Sequence, residues 1–215
     1  MEGEVAQDRE VERIGLATVW KESDDVFRPT PAPLTLVVEA LSRTRPKADS
    51  TIVLVSEGVL AEIFFQLKGK RDMEMGGVLV GSAFVDSESH LHAVVVRRGL
   101  LGDNSEGTPV SLKFTSDSWQ SINSKLPGLP EEERNMVGWY HSHPGLGVFL
   151  SARDHLTQRD FFANPWQIAL VVDPNRDLDS SSAFGFFYGS EGLPAQTIIY
   201  RTELREEYPM SHLSI

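Results

Sequence analysis

The sequence predicts an α/β (α+β) fold: one domain in which a central mixed β-sheet is flanked by helices. Three observations predict it. Short β-rich runs such as Thr51-Ile52-Val53-Leu54-Val55 recur along the chain. About three other stretches carry helical patterning or helix-start signals instead. Strands and helices do not follow a regular strand–helix–strand alternation, so they fit a mixed sheet with helices packed against it.

The elements follow in order. Ser56 can cap a helix over about Glu57–Lys68, where Val59, Leu60, Ile63, Phe64 and Leu67 fall on one face and Gly69 is a stop. Gly76–Val85 and Leu91–Val96 form paired strands around a turn at Asp86-Ser87-Glu88-Ser89. Gly99–Pro109 is rich in glycine and polar turn formers and reads as a loop. Ser111–Thr115 is a further strand, and Ser116 caps a helix reaching about Lys125. Asn135–Tyr140 is a strand that delivers a pair of histidines at its end, and a helix follows over about Ala152–Phe162. Trp166–Val172, Phe184–Tyr188 and Thr197–Tyr200 complete the strands.

Residues 1–48 differ in character. Four prolines, Pro29, Pro31, Pro33 and Pro46, lie between Phe27 and Lys47 and resist incorporation into a helix. This stretch reads as a mostly irregular extension with a short element at Leu34–Leu41, serving as a linker or as a docking arm for a protein partner. The domain then spans residues 49–204, and residues 205–215 form a tail.

Composition removes several function classes. The formal charge of the 215-residue chain is −11, so there is no excess of Lys and Arg to replace counterions on nucleic acid. The absence of cysteine excludes disulfides, thiolate metal sites and a cysteine nucleophile. No apolar run is long enough to cross a bilayer, and the acidic start Met1-Glu2-Gly3-Glu4 precedes no signal-like apolar region. The expectation is a cytoplasmic protein that acts on neither nucleic acid nor membrane.

The chemistry concentrates in His141-Ser142-His143-Pro144, followed by Ser151 and Asp154. On an extended strand, side chains two apart share a face, so His141 and His143 can aim at one point while Ser142 points away. Pro144 and Gly145 turn the chain, and a returning helix carries Asp154 in its first turn. Two imidazoles and one carboxylate supply three protein ligands to zinc and leave a fourth position for water. Ser151-Ala152-Arg153-Asp154 is also a plain capping box, a role that itself fixes Asp154 in place. The chain carries its own control. His90-Leu91-His92 has the same spacing but no turn and no Ser-x-x-Asp behind it, and reads as exposed strand residues. Glu74, in Met73-Glu74-Met75-Gly76-Gly77, is a candidate base, although the chain has many carboxylates and spacing alone does not select this one.

The order Glu, His-Ser-His-Pro, Ser, two residues, Asp resembles the JAMM signature of the MPN-plus (JAB1/MPN/Mov34) metalloproteases. Met73–Gly81, Gly138–Gly145 and Val171-Val172-Asp173-Pro174 resemble further stretches of that family, so the likeness covers roughly Thr51–Tyr188. The resemblance implies an MPN-like domain and a zinc-dependent isopeptidase acting on ubiquitin or a ubiquitin-like modifier. By motif position it implies zinc on His141, His143 and Asp154, with Glu74 as general base and acid and Ser151 stabilising the tetrahedral intermediate. The family's first insertion corresponds to Gly99–Ser111, where Leu100–Leu112 could add a strand beside a modifier tail. Its second is reduced to about Asn175–Ser182. Two other functions fit the same residues: trimming of a ubiquitin-like or sulfur-carrier precursor, and a non-catalytic MPN scaffold. A zinc nucleobase deaminase is excluded by the lack of cysteine, and a helical zincin by the lack of His-Glu-x-x-His.

Overall fold

The computed structural model describes residues 28–32, 34, 47–69, 72–103, 106–108, 111–180 and 182–201. Most of the extension, most of the Leu34–Leu41 element and the 205–215 tail lie outside the described residues.

The expected mixed sheet is present. It is built from β1 (Thr30–Pro31), β2 (Thr51–Ser56), β3 (Gly76–Val85), β4 (His92–Leu101), β7 (Asn135–Ser142), β8 (Ile168–Val172), β9 (Phe184–Tyr188), β10 (Leu193–Pro194) and β11 (Gln196–Tyr200). The order is β10-β9-β8-β7-β3-β4-β2-β11, with β1 on β3. Pairs β7/β8, β2/β4, β2/β11 and β1/β3 are parallel, and β3 runs antiparallel to both β4 and β7. Two short strands, β5 (Glu106–Thr108) and β6 (Ser111–Lys113), form a separate antiparallel hairpin.

Helix α1 (Glu57–Leu67) starts where Ser56 Oγ accepts the Val59 N–H at 3.2 Å. Its Leu60, Ile63, Phe64 and Leu67 are buried against Val53, Val55, Leu79, Val94 and Val96 of the sheet. Each such side chain contributes about 1.5–3 kcal/mol of burial. The opposite face is covered by α2 (Ser116–Lys125) and by the residues around α3 (Ala152–Phe161), through Trp119, Ile122, Leu150 and Phe162 packed on Val78, Val80, Trp139 and Val171. A third cluster joins Leu34 to Ile52, Leu54, Leu91, Ala93 and Val95. Part of the proline-rich stretch therefore lies on the sheet: β1 pairs with Phe84 and Val85, beyond the point where β7 begins opposite Gly81.

Two features depart from the sequence expectation. The loop expected from Gly99 begins later, because β4 runs through Leu101, with Gly99 opposite Leu79. Gly99 serves close packing rather than a turn: a Cβ there would lie 2.8 Å from Ile63 Cγ1 and 3.2 Å from Tyr140 Cε1. Further along that stretch, Glu106–Thr108 is β5, paired with β6. The second departure is a cap: Thr115, not Ser116, starts α2 by accepting the Ser118 N–H at 3.1 Å.

A bulge aims the site. Leu79 pairs with Gly138 but Val80 pairs with Met136, so Val137 is an extra residue in β7. It puts Met136 and Trp139 in one core cluster despite their odd spacing. His141, two residues beyond Trp139, is thereby turned to the α2/α3 face.

Candidate metal centre

Four side chains from three segments converge at the end of β7. His141 is on the strand, opposite Gly76 of β3. His143 lies just past it, held by a backbone bond from its N–H to the Val172 carbonyl of β8 at 2.7 Å. Pro144 and Gly145 then turn the chain, with Gly145 at φ 73°, a conformation glycine adopts without strain. Asp154 enters from the first turn of α3. The capping box is present in full: Ser151 Oγ accepts the Asp154 N–H at 3.3 Å and Asp154 Oδ2 accepts the Ser151 N–H at 2.7 Å. The cap and the site are one structure, since the box holds Asp154 with its carboxylate on the two histidines.

The distances are short. His141 Nε2 and His143 Nε2 are 3.0 Å apart. Asp154 Oδ1 is 3.3 Å from His141 Nε2, and Oδ2 is 3.3 Å from His143 Nε2. Two ligands each about 2.0–2.1 Å from a tetrahedral zinc stand about 3.3 Å apart, so these donors are spaced as zinc ligands are. Glu74 Oε1 is 3.7 Å from His143 Nε2. Glu74, His141 and His143 each offer an atom within 4.8 Å of the others. By geometry alone, therefore, Glu74 belongs to the donor cluster as much as Asp154 does. All four residues are at most 4 % exposed.

Burial and charge set their protonation. Burial pushes the Glu74 carboxyl up from 4.5 to about 7, against the pull of His143. Burial also works against ionised Asp154, but hydrogen bonds from His141 and His143 outweigh it and hold that carboxyl well below the usual range. His141, wholly enclosed, is lowered by burial more than Asp154 raises it. For His143 burial is again opposed by Asp154 and Glu74, and here the carboxylates win and raise it. The two carboxylates are thus driven apart, one held ionised and the other raised towards neutrality. Among the described residues, Glu74 Oε2 and His141 Nδ1 are buried without a hydrogen-bond partner.

Several supporting residues were not singled out by the sequence. Ser142 is fully buried and does not merely point away. Its N–H donates to the Met75 carbonyl at 2.8 Å and its Oγ accepts the Met75 N–H at 3.0 Å, fixing the residue next to Glu74. The Glu74 N–H itself donates to Thr108 O of β5 at 2.9 Å, so the hairpin adjoins the site. Asp173 accepts the N–H groups of Gly145 and Asn175 on Oδ1 and the Arg176 guanidinium on Oδ2, which closes the turn after the histidines. Its signal was the Val-Val-Asp-Pro strand end. Phe149, 45 % exposed, lies with its ring centroid 4.9 Å from that of His143. The control pair behaves differently: His90 is exposed at φ 52°, His92 is half-buried at the start of β4, and neither joins the cluster.

The family model described as JAB1/Mov34/MPN/PAD-1 ubiquitin protease matches residues 49–164. The chain belongs to this JAB1/MPN family. It is 32 % identical over 126 residues to the uncharacterised protein F37A4.5 of Caenorhabditis elegans, covering 58 % of this chain and 38 % of that one. It is 36 % identical over 103 residues to ubiquitin carboxyl-terminal hydrolase RPN11 of Saccharomyces cerevisiae, covering 47 % and 32 %. It is 28 % identical over 130 residues to COP9 signalosome complex subunit 5 of Caenorhabditis elegans, covering 60 % and 34 %. The chain therefore spans well under half the length of these relatives. Among the described residues, no helix is long and apolar enough to cross a membrane.

Proposed function

We propose that the protein is a zinc-dependent isopeptidase that removes ubiquitin or a ubiquitin-like modifier from lysine. The observation that carries this reading is the set of two imidazole nitrogens and one carboxylate at 3.0–3.3 Å spacings beside a buried, near-neutral glutamate. The relative named as a ubiquitin carboxyl-terminal hydrolase supports the substrate class.

In this reading His141, His143 and Asp154 hold the zinc. Zinc bound there supplies Lewis-acid polarisation of the scissile carbonyl and a water acidified to a pKa of about 7. Glu74 takes up a proton from the attacking water and delivers it to the departing lysine amine. Ser151 donates its hydroxyl to the carbonyl oxygen as charge develops, an interaction worth about 3–4 kcal/mol. The extended modifier tail runs beside the β5–β6 hairpin by strand addition. Asp173 and Ser142 bind nothing; they hold the His143 turn and the Glu74 strand in register.

The test uses lysine-linked ubiquitin conjugates and linear fusions with the zinc-loaded protein. Release from lysine that disappears in Glu74→Gln, while zinc content is retained, supports the reading. Cleavage of linear precursors alone moves the assignment to precursor trimming. A metal-loaded protein that cleaves neither is a scaffold.

A further inference from the structure

We propose that Gln158 is a positioning residue for His141, acting through the indole of Trp139; this rests on the zinc reading above. Gln158 lies on α3 one turn after Asp154 and is fully buried. A buried amide is costly unless all its polar atoms are paired, and here they are. Its Oε1 accepts the Trp139 Nε1–H at 2.7 Å, and its Nε2 donates to the Phe162 and Gln167 carbonyls at 3.0 and 3.1 Å. The side chain thus ties α3, the segment entering β8, and the indole on β7 into one clamp.

The clamped indole lies flat on His141. Their ring centroids are 4.5 Å apart and the planes differ by 6°. Phe162 is also nearly parallel to the indole, at 6.1 Å and 16°. A metal-binding histidine ordinarily has its second ring nitrogen held by a carboxylate, a carbonyl or water, which fixes the ring's orientation. Among the described residues, no carboxylate or carbonyl pairs with the buried Nδ1 of His141. The orientation of this ring is therefore set by its stack on Trp139, and the plane of Trp139 is set by Gln158. One helix delivers Asp154 directly and His141 through two intermediaries.

The test measures zinc affinity by competition with a chromophoric chelator in wild type, Gln158→Met, Trp139→Phe and the double variant. Circular dichroism establishes that each is folded at the assay temperature, and cobalt-substituted spectra report ligand geometry. Trp139→Phe keeps a ring on His141 but removes the N–H, so it decides the matter if Gln158→Met fails to fold. Each folded variant is expected to bind zinc at least about 10-fold more weakly with a shifted cobalt spectrum, and the double variant to lose no more than the worse single one. Folded variants that bind zinc as wild type does, with unchanged spectra, overturn the positioning role alone. A wild-type protein that takes up no zinc overturns both this role and the function on which it rests.

Discussion

Replacing Glu74 by glutamine should make the metal-free protein more stable while removing its activity. The carboxyl titrates at 4.5 ordinarily and at about 7 in the fold, because burial disfavours its charge. At 1.36 kcal/mol per pH unit, ionising it in place costs the folded state about 3 kcal/mol. A group whose folded value is raised adds nothing unfavourable below its unfolded value, and its relative stability is lost as pH rises through the folded one. The cost is therefore absent below pH 4.5 and fully present above about pH 7. Glutamine cannot ionise, so Glu74→Gln should be about 2–3 kcal/mol more stable than wild type at pH 8, with the gain shrinking towards pH 5. Urea denaturation of chelator-treated protein at pH 5 and pH 8 measures this directly. Equal stability at pH 8, or a gain independent of pH, would refute the argument that Glu74 is buried at an energetic cost.

Zinc uptake at pH 7 should release protons, since His143 and Glu74 both hold protons near neutrality without metal; calorimetry in two buffers of different ionisation enthalpy counts them, and apparent affinity should fall as pH drops. Gly99→Ala should destabilise by about 1–3 kcal/mol in denaturant titration, because its methyl group meets Ile63 and Tyr140 across the helix–sheet contact. Asp173→Ala leaves the Gly145 and Asn175 N–H groups without their acceptor and should cost about 1–3 kcal/mol, together with weaker zinc binding in the same chelator competition.

Much of this was legible in the sequence for identifiable reasons. The apolar face of α1 repeats with the helical period, and the short continuous apolar runs of β2 and β8 are those of strands buried on both faces. Ser151 and Asp154 mark the start of α3, and the cap they form holds the Asp154 carboxylate against the two histidines. Other features left no local trace. A bulge is one residue's displacement against a neighbouring strand, so the extra Val137 that turns His141 to its face is visible only once β3 and β7 are paired. Gly99 looked like a turn because glycine permits both a bend and a close approach, and only Ile63 across the gap distinguishes them. Glu74 could be chosen among many carboxylates only by family likeness; in space its burial beside His143 sets it apart. Gln158 gave no signal, since a glutamine on a polar helix reads as a surface residue until Trp139 is folded against it.

The most direct test is metal content together with its loss on mutation. Purified protein loaded with zinc, dialysed and measured by inductively coupled plasma mass spectrometry should retain one equivalent per chain. Glu74→Gln should keep it, and His141→Ala and Asp154→Ala, shown to be folded, should not. Zinc retained at full stoichiometry in folded His141→Ala or Asp154→Ala, or no zinc in wild type, would contradict the assignment of these side chains as its ligands.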